Sequence, residues 1–198
     1  AITQVSGPPS TIGVLEKPIA PDRLLSSLIK RELIFGRSES VFAGTRQYSF
    51  KHIMFRDVIY QNIPKRERTL YHGLTADWLV AITQSIQRSG EYAAVIADHY
   101  LKAGSSIYAS DWFYRAGLRA KEQVALQESY SYLSQALELL PQNELEKRWL
   151  GLLERDEILG ILGDTEARAA ADQELLHLAR EIDDDNLIAR AYLRQAYY

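Results

Sequence analysis

The sequence predicts a mainly α-helical protein in which a short helix-and-hairpin segment precedes an array of helical hairpins. Three observations carry that reading. β-prone residues cluster mainly in two short runs, "ELIFGR" and "RQYSFKH", between residues 32 and 52. From Lys51 onward almost every segment has the three-to-four-residue apolar spacing of a helix. After Gly90 the helical segments become shorter and evenly spaced, as in a repeat of helical hairpins.

Residues 1–20 carry Gly7, Pro8, Pro9, Gly13 and Pro18 and read as an irregular lead-in, with a short strand expected around Ile12 to Leu15. "PDRLLSSLIKRELI" follows from Pro21 with Leu24, Leu25, Leu28, Ile29 and Leu33 at helical spacing, a three-turn amphipathic helix. The two β-prone runs are joined by "SESVFAGT", in which Gly44 can supply a turn. Residues 21–62 therefore form a winged-helix-like segment, helix then hairpin, the back half of a winged helix. Residues 63–90 read as a connecting helix. Pro64 suits its first turn, and Leu70, Leu74, Trp78 and Ile82 recur every four residues as an expected buried stripe. Residues 91–198 divide into helices near 92–103, 107–123, 126–140, 144–162, 166–182 and 185–198.

The window from Ser110 to Asn143 fits the 34-residue tetratricopeptide spacing. It places Phe113, Ala116, Gly117, Ala120, Ser129, Leu133, Ala136 and Pro141 at the eight signature positions. Small residues at Gly117, Ser129 and Ala136 let helices approach, Phe113 and Leu133 fill the space between them, and Pro141 cannot continue the second helix. "LGDTEARAAADQELLHLARE" repeats the turn and second helix with Gly163, Ala171 and Ala179. The expected fold is thus a partial winged helix followed by a tetratricopeptide-like right-handed solenoid of two to three repeats, the last one truncated. The opening at Ala1 and the closing "RAYLRQAYY", without a helix stop, are those expected of an excerpt from a longer chain.

Of the 198 residues 46% are hydrophobic, enough for one elongated or two small folded units. The chain has no cysteine, which excludes disulfides, thiolate metal sites and thiol nucleophiles and makes a reducing cytoplasm the expected location. No apolar run approaches the length of a membrane span. Lys30 to His72 holds nine Lys/Arg against four Asp/Glu, a balance of +5, whereas Gly73 to Tyr198 holds twelve against twenty, a balance of −8. That asymmetry fits two modules, the first able to attract anions.

"YSFKHIMFRDVIY" brings His52, Arg56 and Asp57 within six residues. On a helix His52 and Arg56 share a face, but Asp57 projects about 140° away from His52, so the three do not converge on one reacting atom. The structural alternative has Arg56 and Asp57 pairing with neighbouring helices and His52 capping or packing near the wing. His52, His72, His99 and His177 lack metal-ligand spacing, and "GPPSTIGVLEK" is not a Walker A loop. No catalytic or metal residues are assigned, and the chain is expected to be non-enzymatic. Lys65, Arg66 and Arg68 follow Pro64 in a first helical turn, where the helix dipole disfavours cations by roughly 0.3–1 kcal/mol each. An anionic or interdomain partner would offset that cost; a solvated turn softened by Glu67 is the alternative. The first helix carries Arg23, Lys30 and Arg31 against Asp22 and Glu32, a weak footprint for nucleic acid.

"ELIFGRSESVFAGTRQYSFKHIMFRDVIYQNIPKRERTLYHGLTADWL", with "IADHYLKAG", "FYRAGLRA" and "SYLSQALELLP", resembles the region behind the nucleotide-binding domain of bacterial signalling ATPases of the STAND class. Many of these also carry a class III adenylate or guanylate cyclase domain. The resemblance runs from about Pro21 to Pro141. It implies ATP or ADP in an upstream domain and no cofactor in this segment. In the class a Met-His-Asp histidine contacts the phosphates of ADP; "KHIMFRD" puts His52 at that position, with Ile53 in place of the aspartate. The implied role is a regulatory and protein-interaction module: the winged helix restrains the upstream nucleotide-binding domain in cis, and a protein or peptide binds the concave face of the solenoid. No membrane contact is implied. The alternative is a DNA-binding transcriptional regulator that uses the winged helix.

Overall fold

The computed structural model describes residues 2–4, as backbone, and 21–196. Among these it is mainly helical, with nine α-helices and a small antiparallel sheet. The chain divides into two units, 1–68 and 69–198.

In the first unit β1 (Ile2–Gln4), β2 (Ile34–Gly36) and β3 (Arg46–Phe50) pair in the order β1-β3-β2. Ile34 lies opposite Phe50 and Gly36 opposite Tyr48, while Ile2 pairs with the other side of Tyr48. Helix α1 (Pro21–Lys30) leads into β2. Ile34, Phe42 and Tyr48 are the buried apolar residues of this small core. The loop between β2 and β3 closes on itself. Thr45 donates its hydroxyl to the Phe42 carbonyl at 2.7 Å, and Gly44 takes the positive φ of 75° that favours glycine. The strand expected around Ile12 to Leu15 lies outside the described residues. Two runs of β-prone residues marked β2 and β3; three-residue β1 carried too little pattern to be read.

Helix α2 (Ile53–Asn62) buries none of its residues, and Ile53, Met54, Phe55, Val58, Ile59 and Tyr60 are all exposed. Helix α3 (Lys65–Ser85) starts directly after Pro64, whose carbonyl accepts from the amides of Glu67 and Arg68 at 3.0 Å. Its buried residues are Ala76, Leu79 and Thr83. The expected stripe is corrected here: Leu70 and Leu74 are about half exposed, and Trp78 and Ile82 only partly covered. A strict four-residue spacing drifts about 40° per step, so that stripe winds about 120° around the helix, whereas Ala76, Leu79 and Thr83 stay within about 60°. Small residues mark the side that meets the next helix; a Cβ on Gly73 would lie 3.7 Å from the Ala103 Cβ.

A 3₁₀ turn (Ser89–Tyr92) then precedes α4 (Ala93–Lys102), α5 (Ser106–Glu122), α6 (Leu126–Leu139), α7 (Leu145–Leu162), α8 (Thr165–Ile182) and α9 (Asp185–Gln195). Each packs on the next, and α5 also touches α7. Connections of two to five residues between packed helices require antiparallel neighbours. The turns have chemical causes. Gly104 and Gly163 adopt positive φ, Asp164 accepts from the Ala167 amide at 3.0 Å, and Asp184 accepts from the Asn186 amide at 2.8 Å.

The α5–α6 pair is the closest packed. Phe113, Ala116, Gly117, Ala120, Ser129, Leu133 and Ala136 are all buried, and Pro141 is half-buried. Two hydroxyls stitch the helices together. Ser110 donates to the Ala136 carbonyl at 2.7 Å and Ser129 to the Gly117 carbonyl at 2.8 Å. The Gly117 carbonyl lies inside the α5 ladder and offers its second lone pair, whereas the Ala136 carbonyl lies in the last turn of α6, where helix carbonyls run short of donors. Ser129→Ala is therefore expected to cost about 1 kcal/mol, read as a lower denaturation midpoint at unchanged m-value. A midpoint equal to wild type would show that the bond contributes nothing. Further along, Leu137, Trp149, Leu152, Leu175, Leu178, Ala179 and Ala191 form one core shared by α6 to α9.

Candidate functional site

His52 stands at the N-cap of α2 with extended backbone (φ −128°, ψ 133°); its side chain makes no capping bond and is exposed, its ring 5.8 Å from that of Phe55. Arg56 does not reach a neighbouring helix, contrary to expectation. Its Nε and Nη2 both donate to Oδ1 of adjacent Asp57, at 2.9 and 2.6 Å. Adjacent helical residues do not face each other, but arginine is long enough to fold back across that angle. Lys65 and Arg66 are exposed in the first turn of α3. Arg68 is half-buried and lies over the Tyr60 ring, 4.9 Å from its centroid, so the three cations do not converge on one point.

The second unit holds a groove between α5 and α7, floored by the end of α6, with a volume of about 330 Å³. Its floor is Ala136, Leu137 and Leu140; its walls carry Asp111, Tyr114, Arg115, Lys147 and the half-exposed Leu150. The helices come close because Gly151 lacks a side chain: a Cβ there would lie 2.9 Å from a Leu137 methyl. Lys147 and Asp111 face each other across the groove at 3.6 Å, both nearly half exposed, a pair worth little on its own. Arg115 lies over the Trp112 ring at 4.6 Å and presents a fixed guanidinium. Lys121 of α5 reaches Glu154 and Glu157 of α7 at 2.7 Å each. Burial, then Glu154, pushes the Tyr114 hydroxyl pKa up, with Lys121 opposing, so this phenol stays protonated and available as a donor. The groove thus offers an apolar floor, a phenol donor and charges of both signs.

Two further groupings are invisible in the order of the chain. Asp156 of α7 and Asp172 of α8 are both buried, with Arg168 and Arg194 over them. Arg194 of α9 bonds Asp156 Oδ2, and Arg168 Nε lies 3.4 Å from Asp156 Oδ1. The available signal was Asp156 itself, a charge four residues after Leu152 and three before Leu159 on an apolar face. His72 of α3 and His99 of α4 meet with their Nδ1 atoms 2.9 Å apart, both half-buried. A separation of 27 residues hid that pair. Beside it Asp77 accepts from the Tyr100 hydroxyl at 2.8 Å; burial first, then this bond, raises the Tyr100 pKa to about 12.

Among the described residues no helix is long and apolar enough to cross a membrane. Compared with known proteins, the chain matches no family model, no curated protein and no solved structure.

Proposed function

We propose that this chain is a non-enzymatic regulatory and protein-interaction module of a multidomain signal-transduction ATPase of the STAND class, of the kind often joined to a class III nucleotide cyclase. In this reading residues 21–62 are a winged-helix remnant, and the helices from α4 onward are a tetratricopeptide-like solenoid whose groove between α5 and α7 takes a protein or peptide. The reading rests chiefly on the α5–α6 pair, where seven of the eight tetratricopeptide positions are buried. The largely exposed apolar residues of α2 add support, because Ile53, Met54, Phe55, Val58 and Ile59 on one short helix suit contact with another domain. That domain would be the upstream nucleotide-binding core in cis, with ATP or ADP bound there, and His52 would reach the ADP phosphates. Lys65 and Arg66 stay free to meet an acidic surface of the same core. The module would act in the cytoplasm: ligand binding in the groove would shift the core from a closed, ADP-bound population to an open one.

The gene region directly upstream tests the class: a Walker A loop and a Walker B aspartate are expected, and their absence overturns the reading. In the intact protein His52→Ala is expected to release ADP faster while leaving the fold of this segment unchanged. Unchanged release would remove His52 from the nucleotide site.

A further inference from the structure

The His72–His99 contact joins α3, the helix that carries the chain from the first unit into the second, to α4. Two imidazole Nδ1 atoms at 2.9 Å cannot both carry a proton. One donates and the other accepts through its lone pair. The rings are tilted by 48° with centroids 5.0 Å apart, so they meet at their Nδ1 edges rather than stacking face to face. In a tetrahedral complex with metal–nitrogen bonds of about 2.0–2.1 Å, two such nitrogens would stand roughly 3.3–3.4 Å apart. Opening the present contact by about half an ångström reaches that spacing.

We propose that His72 and His99 form a two-point site for a divalent transition metal of the zinc, nickel or copper type, held by both Nδ1 atoms and completed by water, which fastens α3 to α4. Imidazole donors select these ions over magnesium and calcium, which prefer oxygen. Among the described residues no third His, Cys, Asp or Glu completes a ligand group, and both rings are only half-buried, so water has access to the remaining positions. The proton balance is simple. In the neutral pair the donating ring moves its proton from Nδ1 to Nε2, both rings become Nε2–H tautomers, and the metal enters without releasing a proton. If the pair is protonated, each extra proton must leave first.

The charged groups nearby do not compete for the metal. Asp98 and Lys102, on the same helix as His99, pair with each other, and Asp77 on α3 is engaged by Tyr100. Tyr108 of α5 stacks on Tyr100 at 5.3 Å and holds that side of α4 in place.

The test is calorimetric titration of the chelator-treated chain with zinc chloride and nickel chloride at pH 7.5 and 5.5, beside magnesium chloride, with thermal midpoints at each condition. One zinc per chain should bind at pH 7.5 and raise the midpoint. Affinity should fall by about tenfold at pH 5.5 as protons compete, and magnesium should be silent. His72→Gln and His99→Gln should each lose the site, and His177→Gln should keep it. Should the glutamine variants fail to fold, histidine ring NMR of the wild type decides, since zinc must move the resonances of His72 and His99 and spare those of His52 and His177. Absence of saturable zinc binding, binding undiminished in both variants, or zinc shifts confined to His52 or His177 would each overturn the proposal.

Discussion

Replacing Asp156 with alanine is expected to destabilise the second unit by about 3 kcal/mol. Asp156 is fully buried in α7, yet it carries a charge into the core shared by α6 to α9. Arg194 bonds it from α9 and Arg168 approaches from α8, so one carboxylate ties three helices together. Alanine would leave two guanidiniums beside a cavity, with Asp172 still near Arg194. Both arginine side chains are more than a quarter exposed and can turn partly to water, which places the loss at the low end of the range for a broken buried pair. Gly160 belongs to the same device. A Cβ there would press on the Arg168 guanidinium at 3.1 to 3.3 Å, so the missing side chain makes room for the charge. Urea denaturation of wild type and Asp156→Ala at pH 7 measures the difference; a change below about 1 kcal/mol would mean the cluster is merely tolerated.

Asp172, one helix away, should behave in the opposite sense. Its pKa is raised, first by burial and then by Asp156, while Arg194 and Arg168 only partly offset the rise. An acid whose folded pKa lies above its unfolded value makes the folded state progressively less stable as pH rises from the unfolded pKa through the folded one. Asp172→Asn removes that ionisation. The variant should therefore match or exceed wild type at pH 7, and its advantage should shrink toward pH 3, where both side chains are neutral. A variant that loses stability steeply at pH 7 would show that Asp172 holds the arginines as firmly as Asp156 does.

Some helix ends were legible in the sequence because they have a local chemical cause, whereas the α5–α6 turn, with Val124 at a φ of 60°, carries none. Gly163 takes positive φ and Pro141 follows the end of α6, as their residue types implied; Gly104 and the caps Asp164 and Asp184 were added by the structure. Packing inside the α5–α6 hairpin was legible for the same kind of reason, since small residues at fixed spacing can mean only close approach. The features that stayed hidden depend on partners distant in the chain. Leu70, Leu74, Trp78 and Ile82 wind around α3, whereas its buried residues are Ala76, Leu79 and Thr83, a face that spacing by fours does not mark. Asp156 and Asp172 sit among twenty acidic residues in the region from Gly73 onward, and composition cannot separate the two that are buried from those that are solvated. His72 and His99 became neighbours only when α3 and α4 packed. His52, by contrast, was found from the resemblance, and the structure adds its N-cap position and its exposure.

The repeat spacing itself can be tested at Gly117, where a methyl group should cost stability even though alanine is the better helix former. An added Cβ would lie 2.7 Å from Leu133 Cγ and 2.8 Å from Cδ2, closer than such atoms approach, with the Leu133 amide nitrogen at 3.3 Å. Leu133 has no accessible surface, so it cannot swing aside into water. Overpacking of this kind costs about 1–3 kcal/mol, against a gain of about 1 kcal/mol from helix propensity. Gly117→Ala is thus expected to lose up to about 2 kcal/mol net. Gly73→Ala supplies the control: its Cβ would meet only the Ala103 Cβ at an ordinary 3.7 Å, so propensity prevails and the midpoint should rise. If the clash with Leu133 is the cause, shortening Leu133 must relieve it. Leu133→Ala alone opens a cavity costing about 2–5 kcal/mol, but the double variant should be less destabilised than the sum of the two singles, by about 0.5–3 kcal/mol. Additivity within about 0.3 kcal/mol would place the strain elsewhere and remove Gly117 from the close contact on which the tetratricopeptide reading depends.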